Sequence, residues 1–169
     1  DVTGIPVQTH EASRLMVQGY IEGGIIALVL VVLVLAIDLR RARDVGVALV
    51  PLAVGAGWAL GVMALTGLEL NLANLIILPL MIGIGIDIGV HLVHRARADG
   101  SSGAALVAGP TGRAVVLSSF TTMVGFGALM IADHRGLASI GALLSLGVAS
   151  NLGAALFVQS FALRALTRL

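Results

Sequence analysis

From Gly23 to Ile37 the chain runs fifteen residues without one charged or hydrogen-bonding side chain. Four further stretches of similar apolarity follow it. A helix needs roughly 20 such residues to cross the ~30 Å hydrocarbon core of a bilayer. Read by length and charge, five spans fall at residues 19–39, 45–68, 70–94, 113–132 and 136–165, preceded by a polar lead-in at 1–18. Helices are the fold that satisfies every backbone group within one apolar segment, so the expected class is an all-α, polytopic membrane helix bundle. Composition removes the alternative of a domain folded in water. Hydrophobic residues make up 58% of the chain and charged residues 11%, against about a quarter charged in soluble domains, and a protein of this size has no core large enough to hide the rest.

The ten basic residues are all Arg, and the net charge of +1 gives no reason to expect nucleic acid as a partner. Their positions are more informative than their sum. Arg40, Arg41, Arg43, Arg95, Arg97, Arg113, Arg164 and Arg168 fall at one end of the expected bundle, whereas Arg14 and Arg135 fall at the other. Basic residues in short loops are retained in the cytoplasm. The lead-in and the turns at 66–71 and 133–135 are therefore expected outside, and the C-terminus inside. Residues 101–109 close at Pro110, which suits either a short amphipathic connector or a plain loop. There is no Cys, which excludes disulfides and thiolate metal sites. The opening Asp1-Val2-Thr3-Gly4-Ile5-Pro6 has neither a Met nor a basic leader region, so a piece of a longer polypeptide is expected.

Asp87 is the residue that most demands an explanation. It lies within Leu78-Pro79-Leu80-Met81-Ile82-Gly83-Ile84-Gly85-Ile86-Asp87-Ile88-Gly89-Val90-His91, and an ionised carboxylate there costs several kcal/mol unless paired, hydrated or protonated. A proton-binding role follows naturally, and a structural hydrogen bond between helices is the bland alternative. At about 100° per residue, Gly83, His91 and His94 share its stripe, which makes a proton path toward the Arg-rich end and gives His91 an assisting role. Pro79 is expected to release a carbonyl one turn before it.

Ser118, Thr121, Thr122 and Gly125 form a polar stripe on the fourth span. Their hydroxyls can support the carboxylate across the bundle or bond back to their own helix. Small residues mark the expected packing seams: Gly85 and Gly89 on the side of the third span opposite Asp87, with Gly83 a further packing candidate on the Asp87 side, and Gly141, Ser145, Ala149 and Gly153 at every fourth position of the fifth. Several look-alikes fail. Gly83 to Asp87 is one residue longer than the Gly-x-Gly-Asp of intramembrane aspartyl proteases and lacks a second mid-span Asp. It is no dinucleotide fingerprint, and the two histidines lack the ligand set of a metal site. No enzyme activity, metal or cofactor is expected.

Together these motifs resemble the resistance-nodulation-division (RND) superfamily and, within it, the MMPL-type lipid exporters. The resemblance is carried by Gly83-Ile84-Gly85-Ile86-Asp87, the exit Arg95-Ala96-Arg97, Thr111-Gly112-Arg113-Ala114-Val115, Ser118-Ser119-Phe120-Thr121-Thr122 and Gly125-Phe126. It implies that the chain is the last five helices of the second half of such a transporter, with residues 1–18 leaving a porter domain and 19–169 forming the transmembrane domain. His91 and Asp133-His134-Arg135-Gly136-Leu137-Ala138-Ser139 are similar to the hopanoid exporters. The implied function is proton-motive-force-driven lipid export from the bacterial inner membrane, with Asp87, His91, Ser118, Thr121 and Thr122 as the proton relay. Implied partners are membrane lipids, the preceding half and the porter domains, with further copies of the chain left open. Many MMPL exporters have Asp-Tyr where this chain has Asp87-Ile88. Two alternatives share the helix pattern: a non-transporting module that binds a sterol-like lipid or a partner protein, and a protein-secretion subunit of the SecD/SecF kind.

Overall fold

The computed structural model describes residues 5–68, 75–100 and 103–167. Among them lie five helices long and apolar enough to cross a membrane, assembled as an all-α bundle. The first, α1, spans Ile5–Leu39. It ends where Arg40 turns left-handed at φ 57°, and α2 follows over Ala42–Thr66, closed by Gly67 at φ 70°. A left-handed residue just past the last turn is the usual helix terminator, and glycine adopts it without a Cβ clash. Next come α3, Ile77–Asp99, and a short connector helix α4, Gly103–Ala108. Helix α5, Pro110–Gly127, runs into a 3₁₀ turn at Ala128–Ile131. Helix α6, Arg135–Ala154, continues through a π-helical turn at Ala155–Gln159 into α7, Ser160–Thr167.

Burial sorts these helices. Over the most apolar window of each, the α6 span is 56% buried, whereas α1 and α5 are 11% buried. Helix α6 is thus the hub, packed against α2, α3 and α5, and α3 lies against α1, α2 and α6. The core runs through Leu39, Ala48, Leu92, Val93 and Leu163, with Ile77, Leu143 and Leu144 forming a second cluster. Backbones approach closely where a side chain is missing. A methyl group on Gly89 would strike the Ala48 carbonyl of α2, and one on Gly85 would stand 2.7 Å from Asn151 Nδ2.

Three stretches are drawn more sharply than the sequence expectation had them, each for a local reason. Residues from Ile5 onward, read as a lead-in, are helical and continuous with the first span. Pro6 sits in the first turn, where its missing N–H is harmless, and Gln18 donates to Glu22 one turn later at 2.8 Å. The third span begins at Ile77, so Pro79 also lies in a first turn and releases no intrahelical carbonyl. The proline that does so is Pro51, inside α2. Residues 101–109, left open between helix and loop, contain α4, whose Gly103 and Leu106 are buried against the bundle. Residues 69–71 of the turn expected at 66–71, residues 70–74 of the span expected at 70–94, residues 1–4 of the lead-in, residues 101–102 of the connector, and Arg168 with Leu169 lie outside the described residues.

Candidate proton-binding groove

Helix α3 has two faces. Gly85, Ile88, Gly89, Leu92, Val93 and Ala96 are buried, and Gly83, Asp87, His91 and His94 are exposed. Asp87 is the eleventh residue of a 23-residue helix, so its carboxylate is placed near mid-span on the face that this chain leaves uncovered. Its side chain is 73% exposed and that of His91 67%, with Asp87 Oδ1 and His91 Nε2 3.4 Å apart.

The carboxylate opens into a groove between α3 and α5. One part, about 340 Å³, is bounded by Gly83, Ile84, Asp87, Ser118, Ser119 and Thr122. A second part, about 180 Å³, continues past His91 to Thr111, Ala114 and Val115. A recess of that size, with the Asp87 carboxylate and the Ser118 hydroxyl in an otherwise largely apolar wall, has room for several waters. Gly83 meets no neighbouring atom within 4 Å of where its Cβ would be, so no described helix packs against it and it borders the groove beside Asp87.

The hydroxyl stripe on α5 divides. Ser118 and Thr122 line the groove, but Thr121 is exposed and absent from its walls. Thr121 Oγ1 donates to the Leu117 carbonyl and Thr122 Oγ1 to that of Ser118, both at 2.9 Å. With its proton committed to its own helix, the Thr122 oxygen is left to accept. It therefore suits a protonated carboxyl, which donates, better than an ionised one, which cannot.

The fifth-span ladder divides too. A methyl group on Gly141 would lie 2.6 Å from the Phe126 carbonyl oxygen, and Ser145 Oγ donates to the Met123 carbonyl at 3.4 Å, so both face α5. Gly153 faces Trp58 of α2, whereas Ala149 is exposed. Positions four apart drift by about 40°, which is enough to carry the row from one neighbour to another.

Sequence reading passed over four polar residues. Gln159, fully buried in the π-helical turn, donates from Nε2 to the Gly89 carbonyl at 2.9 Å and the Val47 carbonyl at 3.2 Å. The second is the acceptor that Pro51 leaves free. Asn151, also fully buried, occupies the space left by Gly55 and Gly85, and its amide atoms have no partner among the described residues. At the Arg-rich end, Asp44 pairs with Arg97, which also donates to the Leu39 carbonyl at 2.7 Å. Asp38 Oδ2 stands 2.6 Å from His94 Nε2. Asn151 and Gln159 were detectable as polar groups within an apolar run; the two Asp contacts join residues more than fifty positions apart.

Comparison with known proteins agrees with this architecture. The chain is 36% identical over 157 residues to a hopanoid transporter of Rhodopseudomonas palustris, covering 93% of the chain and 18% of that protein. It is 34% identical over 155 residues to a hopanoid transporter of Burkholderia multivorans, covering 91% and 17%. A putative membrane protein of Methanocaldococcus jannaschii is 30% identical over 152 residues, covering 86% and 39%. The chain thus spans less than a fifth of the length of the two transporters. No solved structure matches it. Residues 1–167 match the MMPL family, and the chain belongs to that family of multi-pass membrane proteins.

Proposed function

We propose that this chain is the proton-carrying membrane portion of a lipid exporter driven by the proton motive force, with hopanoid-like polycyclic lipids as cargo. The observation that carries the reading is the placement of Asp87: a carboxylate near the middle of a membrane-spanning helix, in a groove with His91, Ser118 and Thr122. A charge at that depth costs at least about 2.5–3.5 kcal/mol against lipid. Its face therefore needs water or a second protein surface, and the preceding half of a transporter would supply one. Binding one proton removes that cost and permits a dry contact, so the two protonation states favour two packings. The acceptor-only Thr122 oxygen complements the neutral form, and His91 complements the ionised one. The Arg-rich end would face the cytoplasm by the positive-inside rule. Both relatives with a named substrate are hopanoid transporters, which supports the cargo class.

The test is lipid export by the intact transporter under an imposed pH gradient. Asp87→Asn keeps the shape and hydrogen-bonding capacity but cannot exchange a proton, so export should fall at least about 100-fold at normal membrane levels. Near-normal export would show that Asp87 serves only as interhelical glue.

A further inference from the structure

Asp87, His91 and His94 stand at i, i+4 and i+7 of α3 and share one stripe. Its two ends are paired differently. Near the middle of the span, His91 Nε2 is 3.4 Å from Asp87 Oδ1. At the Arg-rich end, His94 Nε2 is 2.6 Å from Asp38 Oδ2, which belongs to the last turn of α1, 56 residues earlier. Between the two pairs, His91 and His94 are neighbours three residues apart, with Cβ atoms about 5–6 Å from each other. A gap of that size is within reach of one bridging water. We propose that His94 and Asp38 form the port through which protons pass between Asp87 and the aqueous phase at the Arg-rich end. This inference rests on the proton-carrying reading of Asp87.

Three features of the surroundings support it. First, the arginines of α3 at that end have partners of their own: Arg95 bonds Asp99 at 2.7 Å on the same helix, and Arg97 is held by Asp44 and the Leu39 carbonyl. Arg40, Arg41 and Arg43 flank Asp38 in sequence, and Asp38 is the carboxylate that faces His94. Second, the pair is half-exposed, with side-chain exposures of 48% for His94 and 47% for Asp38, and Asp38 stands next to Arg40, Arg41 and Arg43 in the chain, at the end where the helix leaves its apolar run. Third, imidazole can accept a proton on one ring nitrogen and release one from the other near neutral pH, which is what a residue between two carboxylates must do. The step balances without any other reactant. The Asp87 carboxyl gives its proton to His91, His91 releases one from its second ring nitrogen to His94, and His94 passes one from Nε2 to Asp38, from which water removes it. Reversal of each transfer loads Asp87. Asp38 and His94 pair with each other and not with Asp87, and they act as relay groups.

The port is tested in the intact transporter reconstituted in liposomes, by the initial rate of gradient-driven export with HEPES, a membrane-impermeant buffer, at the Arg-rich face. Asp38→Asn and His94→Gln should each slow export roughly tenfold or more in dilute buffer, Asp38→Glu should retain it, and concentrated HEPES should restore most of the loss in Asp38→Asn. Buffer rescue is a response that a purely structural clamp between α1 and α3 would not give. Unchanged export in both Asn and Gln variants, or a loss that buffer does not relieve and Glu does not repair, overturns the port. Asp87→Asn, run in parallel, should be inactive at every buffer concentration. Normal export by that variant would overturn the underlying reading instead, whatever Asp38 does.

Discussion

The two faces of α3 both carry glycine and put it to opposite uses. On the inner face, Gly85 and Gly89 remove side chains so that α2 and Asn151 of α6 can come close, and Gly89 lies directly beneath the Ala48 carbonyl. On the outer face, Gly83 has nothing near it, and its missing side chain leaves space beside Asp87 instead of bringing a helix in. The inner face fixes α3 in the bundle. The outer face carries Asp87, His91 and His94, the ionisable groups of the helix apart from its Arg95, Arg97 and Asp99 end. A helix held firmly on one side can present a titratable group on the other without shifting itself, and on the proposed function a surface docked there would be the part that responds to charge. The hydrogen bond from Gln159 to the Gly89 carbonyl adds to that hold, two residues beyond Asp87.

The contrast can be broken by bulk. Gly89→Leu should cost about 3 kcal/mol or more, since the obstacle is backbone that cannot step aside, while Gly83→Leu should leave folding unaffected. The yield of monodisperse protein in detergent and its unfolding midpoint would report both. Equal tolerance of the two would erase the distinction between the faces. A smaller effect is expected from Gln159→Leu, which leaves the Val47 and Gly89 carbonyls without their side-chain donor. Thermal unfolding in detergent should register roughly 1–2 kcal/mol. No change there would mean that α3 is held by close packing alone. The finest comparison is between two threonines with the same back-bonding. Thr122→Val should slow export a few-fold because Thr122 lines the groove, while Thr121→Val should leave it unchanged, and both should alter stability by less than about 0.5 kcal/mol. If export falls equally in the two, the groove between α3 and α5 is not where the hydroxyls act.

The features legible in the sequence are those carried by single stretches of chain. An uncharged run of membrane length is visible without any partner, so all five spans were identifiable, and the motif order around Asp87 and Thr111 to Phe126 was enough to point to the family. Boundaries were less visible. Pro79 looks the same in a sequence whether it lies inside a helix or in a first turn, and only the start of α3 at Ile77 shows that it kinks nothing. Likewise, the polar residues after Ile5 are compatible with helix or extended chain until α1 is seen to run through them. Reading the fifth span for small residues also drew attention from Asn151 and Gln159, the polar groups that its core encloses.

By itself the sequence determined the solvent, the number of spans, the Arg-rich end and the presence of one carboxylate at mid-span, because hydropathy and charge are local quantities that the bilayer evaluates one helix at a time. Tertiary structure alone decided which side of each helix is covered. It turned Gly89 inward and Gly83 outward on one α3, split the ladder of Gly141, Ser145, Ala149 and Gly153 between α5, α2 and the exposed surface, and brought Asp38 to His94 and Gln159 to Val47. Periodicity says which residues share a face, but between apolar helices in lipid the hydrophobic effect does not choose the face. That choice falls to close packing and to polar groups seeking partners, and both depend on residues far apart in the chain.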